Sequence, residues 1–182
     1  TVVSAENMLI KVLKRAKFLI TNNSSIFTTP SLEVFLKSNF TTKDFGKDSK
    51  LLNSFSELDD FDIYTCLKYW KNSDDFVLSN LSERLINRKI LKIKIAKKPI
   101  LEQEKSSLID AFSKKHYCSK KEAKFFIFSY KISNNTYNTE KSNINILMKT
   151  GDVIDITLAS DQFNVKALNK TVNKYFLCYT ND

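Results

Sequence analysis

Arg84, Arg88, Lys89, Lys92 and Lys94 crowd one short stretch of this chain. On a helix, Arg84 and Arg88 are four apart and share a face; on a strand, Lys92 and Lys94 share one. Residues of these types suit a polyanion. Arginine clamps phosphate oxygens with a two-pronged fork, and lysine adds point charge. A simpler reading stands beside it: a helix C-terminus carrying cations that favour its dipole, next to a solvated strand face. Residue types alone leave both open.

Other chemistries find little material. A catalytic metal needs several His or carboxylate ligands converging on one ion, and the sequence holds one histidine, His116. Flanked by Lys114, Lys115 and Tyr117, it reads as a solvated or helix-terminal residue, which leaves Ser–His and Cys–His catalysis without a base. Gly46 and Gly151 are the only glycines, so no glycine-rich phosphate cradle can be built. Asp59, Asp60 and Asp62, and Asp74 with Asp75, each precede a helical apolar pattern and read as caps rather than cation ligands. Cys66, Cys118 and Cys178 are widely spaced and form no CxxC, which argues for reduced, buried thiols. We therefore assign no catalytic residue and no metal ligand within this chain.

The elements that must position the basic stretch follow from periodicity. Residues 2–20 repeat apolar positions at helical spacing through Val2, Ala5, Leu9, Val12, Ala16 and Leu19, widened by Met8 and Leu13. Residues 21–29 read as a loop, and Pro30 opens a short helix to Phe40. Residues 41–49 read as a second loop, and 51–58 as a short helix. Asp59 or Asp60 caps the next helix, with Ile63, Tyr64, Leu67 and Trp70 inward. Asn72-Ser73-Asp74 breaks the chain, and a further helix turns Val77, Leu78, Leu81 and Leu85 inward, ending near Arg88 or Lys89. Residues 90–95 read as a strand, Leu91, Ile93 and Ile95 on one face and Lys92 and Lys94 on the other. Beyond Pro99 come a helix over 101–116, a Ser119-capped helix to Lys124, a strand over 125–132 and a polar loop over 133–142. Strands at 143–148 and 153–158 flank Lys149-Thr150-Gly151-Asp152, a hairpin turn. A helix from Ser160 or Asp161 to about Asn169 and a strand over 174–179 close the chain. The fold class is α+β: N-terminal helices, then a small antiparallel-sheet portion with a C-terminal hairpin, helix and strand. The division expected is a helical portion, 1–89, and an α+β portion, 90–182.

With 182 residues, 42% of them hydrophobic, the chain can bury a core as one domain or two small modules. Its net charge of +9 favours anionic partners: nucleotide, nucleic acid or the acidic face of another subunit. The apolar run 125–128, like every other in the chain, is far too short to cross a bilayer, and no membrane partner is expected. Reduced thiols suggest the cytoplasm. Thr1 opens directly into an amphipathic helix without an initiating Met, which reads as a chain excised from a longer protein.

Residues 1–17, TVVSAENMLIKVLKRAK, resemble a helix of the HD-domain phosphohydrolases, the group that includes the dNTP triphosphohydrolases. There it directly follows a segment of the catalytic core. FSELDDFDIYTCLKYW, the intervening NSDD and LSERLINRKILKIKI resemble that family's next helices and its turn into a strand. NINILMKTGDVIDITLASDQFNVKALNKTVNKYFLCY resembles its closing hairpin, short helix and last strand. The ordered set covers nearly the whole chain and is most similar to bacterial members. The resemblance implies a C-terminal, non-catalytic region of a cytoplasmic, metal-dependent phosphohydrolase, its divalent metal and substrate-gripping residues lying upstream of Thr1. No cofactor is implied within this chain. The resemblance also implies core packing and homo-oligomer contacts. Val2, Leu9, Val12 and Ala16 would belong to a core completed by the upstream part, leaving apolar surface on the first helix that drives self-association or is buried against the C-terminal portion. An Arg and a Lys in the family's helix-to-strand turn contact an allosteric nucleotide in the mammalian relative, and Arg88 and Lys92 match those positions. A further Lys of that site aligns near Tyr179, a departure from the pattern. The rival readings are a stand-alone nucleotide- or nucleic-acid-binding module, using the basic faces of 84–98 and 114–124, and a purely structural oligomerisation domain.

Overall fold

A computed structural model describes residues 2–47, 49–134, 145–155 and 172–180. The class is α+β, with a three-stranded antiparallel sheet of order β1-β5-β2 and a separate two-stranded hairpin, β3-β4. Helices α1 (Val2–Thr21), α2 (Pro30–Lys37), α3 (Thr42–Phe45), α4 (Ser49–Glu57), α5 (Asp60–Trp70) and α6 (Phe76–Ile86) precede β1 (Lys92–Ala96). Then follow α7 (Glu102–His116), α8 (Lys120–Ala123), β2 (Phe128–Asn134), β3 (Asn145–Leu147), β4 (Val153–Asp155) and β5 (Val172–Tyr179). The chain forms two compact units. One comprises Thr1–Lys94, Glu102–Phe128 and Leu177–Asp182; the other comprises Ile95–Leu101 and Ser129–Phe176. The expected helix from Ser160 or Asp161, most of the polar loop and the outer ends of the hairpin strands lie outside the described residues.

In the helical unit, α1 packs against α6 and α2, and α5 packs against α6. Ser4, Met8, Val12 and Ala16 form one row at four-residue spacing, all fully buried, the ridge that fits a neighbouring helix groove. Val77, Leu78 and Leu81 of α6 are fully buried as well. The apolar surface expected on α1 is thus covered in part by this chain's own helices, while Val2, Ile10 and Phe18 stay exposed. Val12 and Ala16 are enclosed by this chain's own helices, Leu9 is half-buried, and Val2 is exposed. Trp70, also fully buried, donates its indole N–H to the Phe27 carbonyl at 2.7 Å.

Several boundaries differ from the periodicity for local reasons. α2 stops at Lys37, where Lys17 Nζ donates to the carbonyls of Phe35 (2.9 Å) and Ser38 (2.6 Å). The expected second loop contains α3, opened by a Thr41–Asp44 capping box. Tyr64 is exposed while Cys66 takes a buried place on α5. Residues 125–127 do not start a strand: Phe126 and Ile127 both donate backbone N–H groups to the Ala123 carbonyl, 3.0 Å each, as a turn leaving α8. Phe126 then stacks on Phe112 with ring centroids 4.8 Å apart. A short apolar run suits a buried turn as well as a strand. In the second unit, Tyr130 and Phe176 stack at 5.1 Å. Gly151, at φ 89°, forms the β3-β4 turn as expected, and Met148 N–H donates to the Asp152 carbonyl at 2.8 Å.

One guanidinium ties three helices through two ion pairs. Arg15 on α1 grips Asp75 with Nε at 3.0 and 3.1 Å from the two carboxylate oxygens and Nη2 at 2.5 Å. Nη2 also lies 3.7 Å from Glu122. Asp75 caps α6 by accepting from Leu78 N–H at 2.8 Å, and Glu122 belongs to the Ser119 capping box of α8. Burial pushes the Asp75 carboxyl up, but the Arg15 hydrogen bond and the capped N–H groups outweigh it and hold it below the ordinary 3.8. The unfolded chain therefore binds this proton more readily. The carboxylate's contribution is complete above pH 3.8 and is lost as pH falls through the folded value. Arg15→Ala should cost about 3 kcal/mol, because it strands a largely buried carboxylate. Arg15→Lys should recover only part, since an ammonium cannot reproduce the fork. Urea denaturation of the two variants at neutral pH, and of the wild type down an acid series, checks both statements.

Candidate functional site

The basic stretch sits where α6 ends and β1 begins. Asn87 is the C-cap of α6, and Arg88 follows in the left-handed region at φ 56°. Lys89 N–H donates to the Arg84 carbonyl at 2.8 Å and Arg88 N–H to the Leu85 carbonyl at 3.3 Å, the double closure of a Schellman motif. Glycine ordinarily fills that left-handed position; here it is an arginine, at some backbone cost.

The next residues are anchored from α1. Ser4 Oγ donates to the Leu91 carbonyl at 2.8 Å, and Leu91 N–H donates to Met8 Sδ at 3.3 Å. Leu91 is buried with its backbone committed to α1, so β1 begins at Lys92 rather than at Ile90. The expected apolar strand face holds only in part. Leu91 is buried and Ile93 half-buried, while Ile95 is exposed.

The five cations do not converge. Arg88 and Lys92 are both exposed and make no ion pair among the described residues. Lys94 is held by Glu104 of α7 at 2.6 Å. Arg84 is half-buried and donates from Nε to Asn80 Oδ1 at 2.8 Å. Arg84 and Lys89, with Asn80 and Glu83, line an open cavity of about 250 Å³. Sequence reasoning grouped Arg84 with the others but had no means of finding Asn80 or Glu83 as walls. Their only signal is spacing, since Asn80 and Arg84 are four apart on α6.

His116 ends α7 as expected, but it is half-buried rather than solvated. Its ring lies 4.2 Å from that of Phe112 and 6.0 Å from that of Phe76, and Nε2 finds no hydrogen-bond partner among the described residues. Burial, then Lys115 and Arg84, push its proton affinity below the ordinary 6.5. No group of three or more His, Cys, Asp or Glu among the described residues could hold a metal ion. The three cysteines are free, and burial raises the Cys66 and Cys118 thiols. No helix among the described residues is long and apolar enough to cross a membrane.

No family model matches the chain, and no curated protein matches it. A solved structure does: a phosphohydrolase from Bacteroides thetaiotaomicron, 37% identical over 98% of this chain with a TM-score of 0.84. The chain spans 44% of that protein's length.

Arg88→Gly should stabilise the chain by about 1 kcal/mol by relieving the left-handed backbone, measured by urea denaturation. His116, the one histidine, supplies a separate expectation. The unfolded chain protonates it more readily than the folded chain does, so stability should fall as pH drops through 6.5. Comparing unfolding at about pH 7.5 and about pH 5.5 tests this, and His116→Gln should flatten the difference.

Proposed function

We propose that this chain is the non-catalytic C-terminal region of a metal-dependent HD-domain phosphohydrolase of the dNTP triphosphohydrolase type. The observation that carries the reading is the match of nearly the whole chain to less than half of a phosphohydrolase. Water activation for phosphoester hydrolysis uses a coordinated ion. The divalent metal would be held by residues outside this chain, and so would the groups that grip substrate. This part would then serve packing and homo-oligomer contacts.

Its functional contribution would come through Arg88 and Lys92. Both are exposed, on a junction that Ser4 and Met8 hold in place through Leu91. That the side chain at the left-handed position is a cation rather than glycine favours a role for Arg88 beyond closing the helix. A nucleotide effector held between subunits would be contacted by both residues through charge-assisted hydrogen bonds.

Two measurements test the reading. The purified chain, incubated with dNTPs and Mn²⁺ or Mg²⁺, should release neither nucleoside nor triphosphate; turnover that survives repurification and depends on a residue of this chain sinks the proposal. In a full-length protein carrying this region, Arg88→Ala with Lys92→Ala should weaken nucleotide-dependent assembly by about 1.5–3 kcal/mol per lost contact while thermal stability without nucleotide stays close to wild type. Equal nucleotide-induced assembly in the variant would reduce both residues to helix-end charges.

A further inference from the structure

The cavity beside the last turn of α6 is built from this chain alone, and neither Arg88 nor Lys92 lines it. Its chemistry is mixed. Arg84 and Lys89 bring positive charge, Asn80 an amide, and Glu83 a carboxylate. The Arg84 Nε hydrogen bond to Asn80 already orders part of the guanidinium, which lowers what a ligand must order. A helix C-terminus normally repels anions through its free carbonyls. Here that repulsion is reduced. The Glu83, Arg84 and Leu85 carbonyls accept N–H groups from Asn87, Lys89 and Arg88, with Asn87 shared between Glu83 and Leu85. The Lys89 backbone is itself one of these donors, so its side chain starts from a fixed point at the cavity wall.

We propose that this cavity binds the phosphate groups of a nucleotide, with Arg84 and Lys89 on the phosphate oxygens and Glu83 accepting from a hydroxyl or amino group of the same ligand. A bare polyphosphate would meet the two cations but also Glu83, which repels it. A ligand carrying both phosphate and hydrogen-bond donors suits all four of these described residues. The assignment does not rest on reading the parent protein as a phosphohydrolase, because the four residues and their geometry belong to this chain.

The test uses the purified chain, with ATP, inorganic triphosphate and adenosine titrated calorimetrically at about 50 mM and about 200 mM salt. ATP should bind, more weakly at the higher salt, and adenosine should not. Lys89→Ala, at an exposed position, should weaken ATP at least tenfold with an unchanged melting temperature, and Arg84→Gln should weaken it similarly. Glu83→Gln should tighten inorganic triphosphate several-fold, a gain that misfolding cannot produce. Arg88→Ala with Lys92→Ala should change ATP affinity less than twofold, which separates this cavity from the neighbouring surface. Failure of the wild type to bind ATP overturns the proposal. So does loss of binding through Arg88 and Lys92 instead of Arg84 and Lys89. Equal or tighter binding of inorganic triphosphate relative to ATP in the wild type overturns the nucleotide assignment.

Discussion

The guanidinium of Arg15 is largely withdrawn from water and lies within reach of two carboxylates that each already have a second task. Asp75 starts α6 and Glu122 closes the cap of α8. Removing charges from water costs several kcal/mol, which close geometry and further hydrogen bonds must offset. Both conditions are met: the Arg15 fork engages both oxygens of Asp75, and Leu78 N–H donates to the same carboxylate. The Arg15 guanidinium also lies over the Phe18 and Phe125 rings, at 5.2 and 5.7 Å, where ring faces attract a cation. One interaction therefore fixes where α6 begins, how α1 lies along it, and where α8 attaches.

The consequence reaches the other end of α6. A helix is stiff over a length of this kind, about 1.5 Å per residue, so fixing its start and its buried face also fixes its last turn. Asn80, Glu83 and Arg84 project from that turn side, and the Schellman closure carries the chain to Lys89 without slack. α1 then acts a second time, taking the Leu91 backbone through Ser4 and Met8. The same helix that holds Asp75 at one end of α6 holds the outgoing chain at the other. The basic junction is thus positioned twice by α1, and its cations need no contacts among themselves to stay in place.

Much of this was legible in the sequence, and the limits have physical causes. Caps were readable because Asp59, Asp75 and Ser119 stand immediately before helical patterns and bond only a few residues away. The Lys149–Asp152 hairpin turn was readable because Gly151 supplies a positive φ. Contacts distant in sequence were not readable. Ser4 falls on a face that periodicity alone assigns to apolar neighbours, and nothing local marks it as the partner of Leu91, 87 positions on. The same holds for Arg15 and Asp75, 60 positions apart. Residues 125–127 misled because apolar content was read as a strand, whereas Ala123 takes the N–H groups of both Phe126 and Ile127. For the basic cluster, spacing grouped five residues by element and face. Whether their side chains share a cavity depends on where Asn80 and Glu83 lie and on which lysine finds a carboxylate.

That last point gives the net charge of +9 a structural meaning. Many of the cations serve the fold. Arg15 binds Asp75 and Lys17 closes α2, while Lys94, Lys105 and Lys120 pair with Glu104, Glu102 and Asp110. Lys11 lies over the Phe128 ring at 4.7 Å, and burial lowers its proton affinity. Charge spent in this way contributes little to the field felt by an incoming anion. At the α6–β1 junction Arg88, Lys89 and Lys92 are exposed, with Arg84 half-buried beside them. Among the described residues, Glu83 brings an opposing charge there, on the cavity wall. A surface that kept its cations merely for solubility would gain nothing from placing one at a strained left-handed backbone position or from orienting another with an asparagine. Both features appear within one turn of each other, at the place where helix carbonyls have been closed off. Part of the excess charge therefore sits where closure of the Glu83, Arg84 and Leu85 carbonyls weakens the backbone's repulsion of an anion.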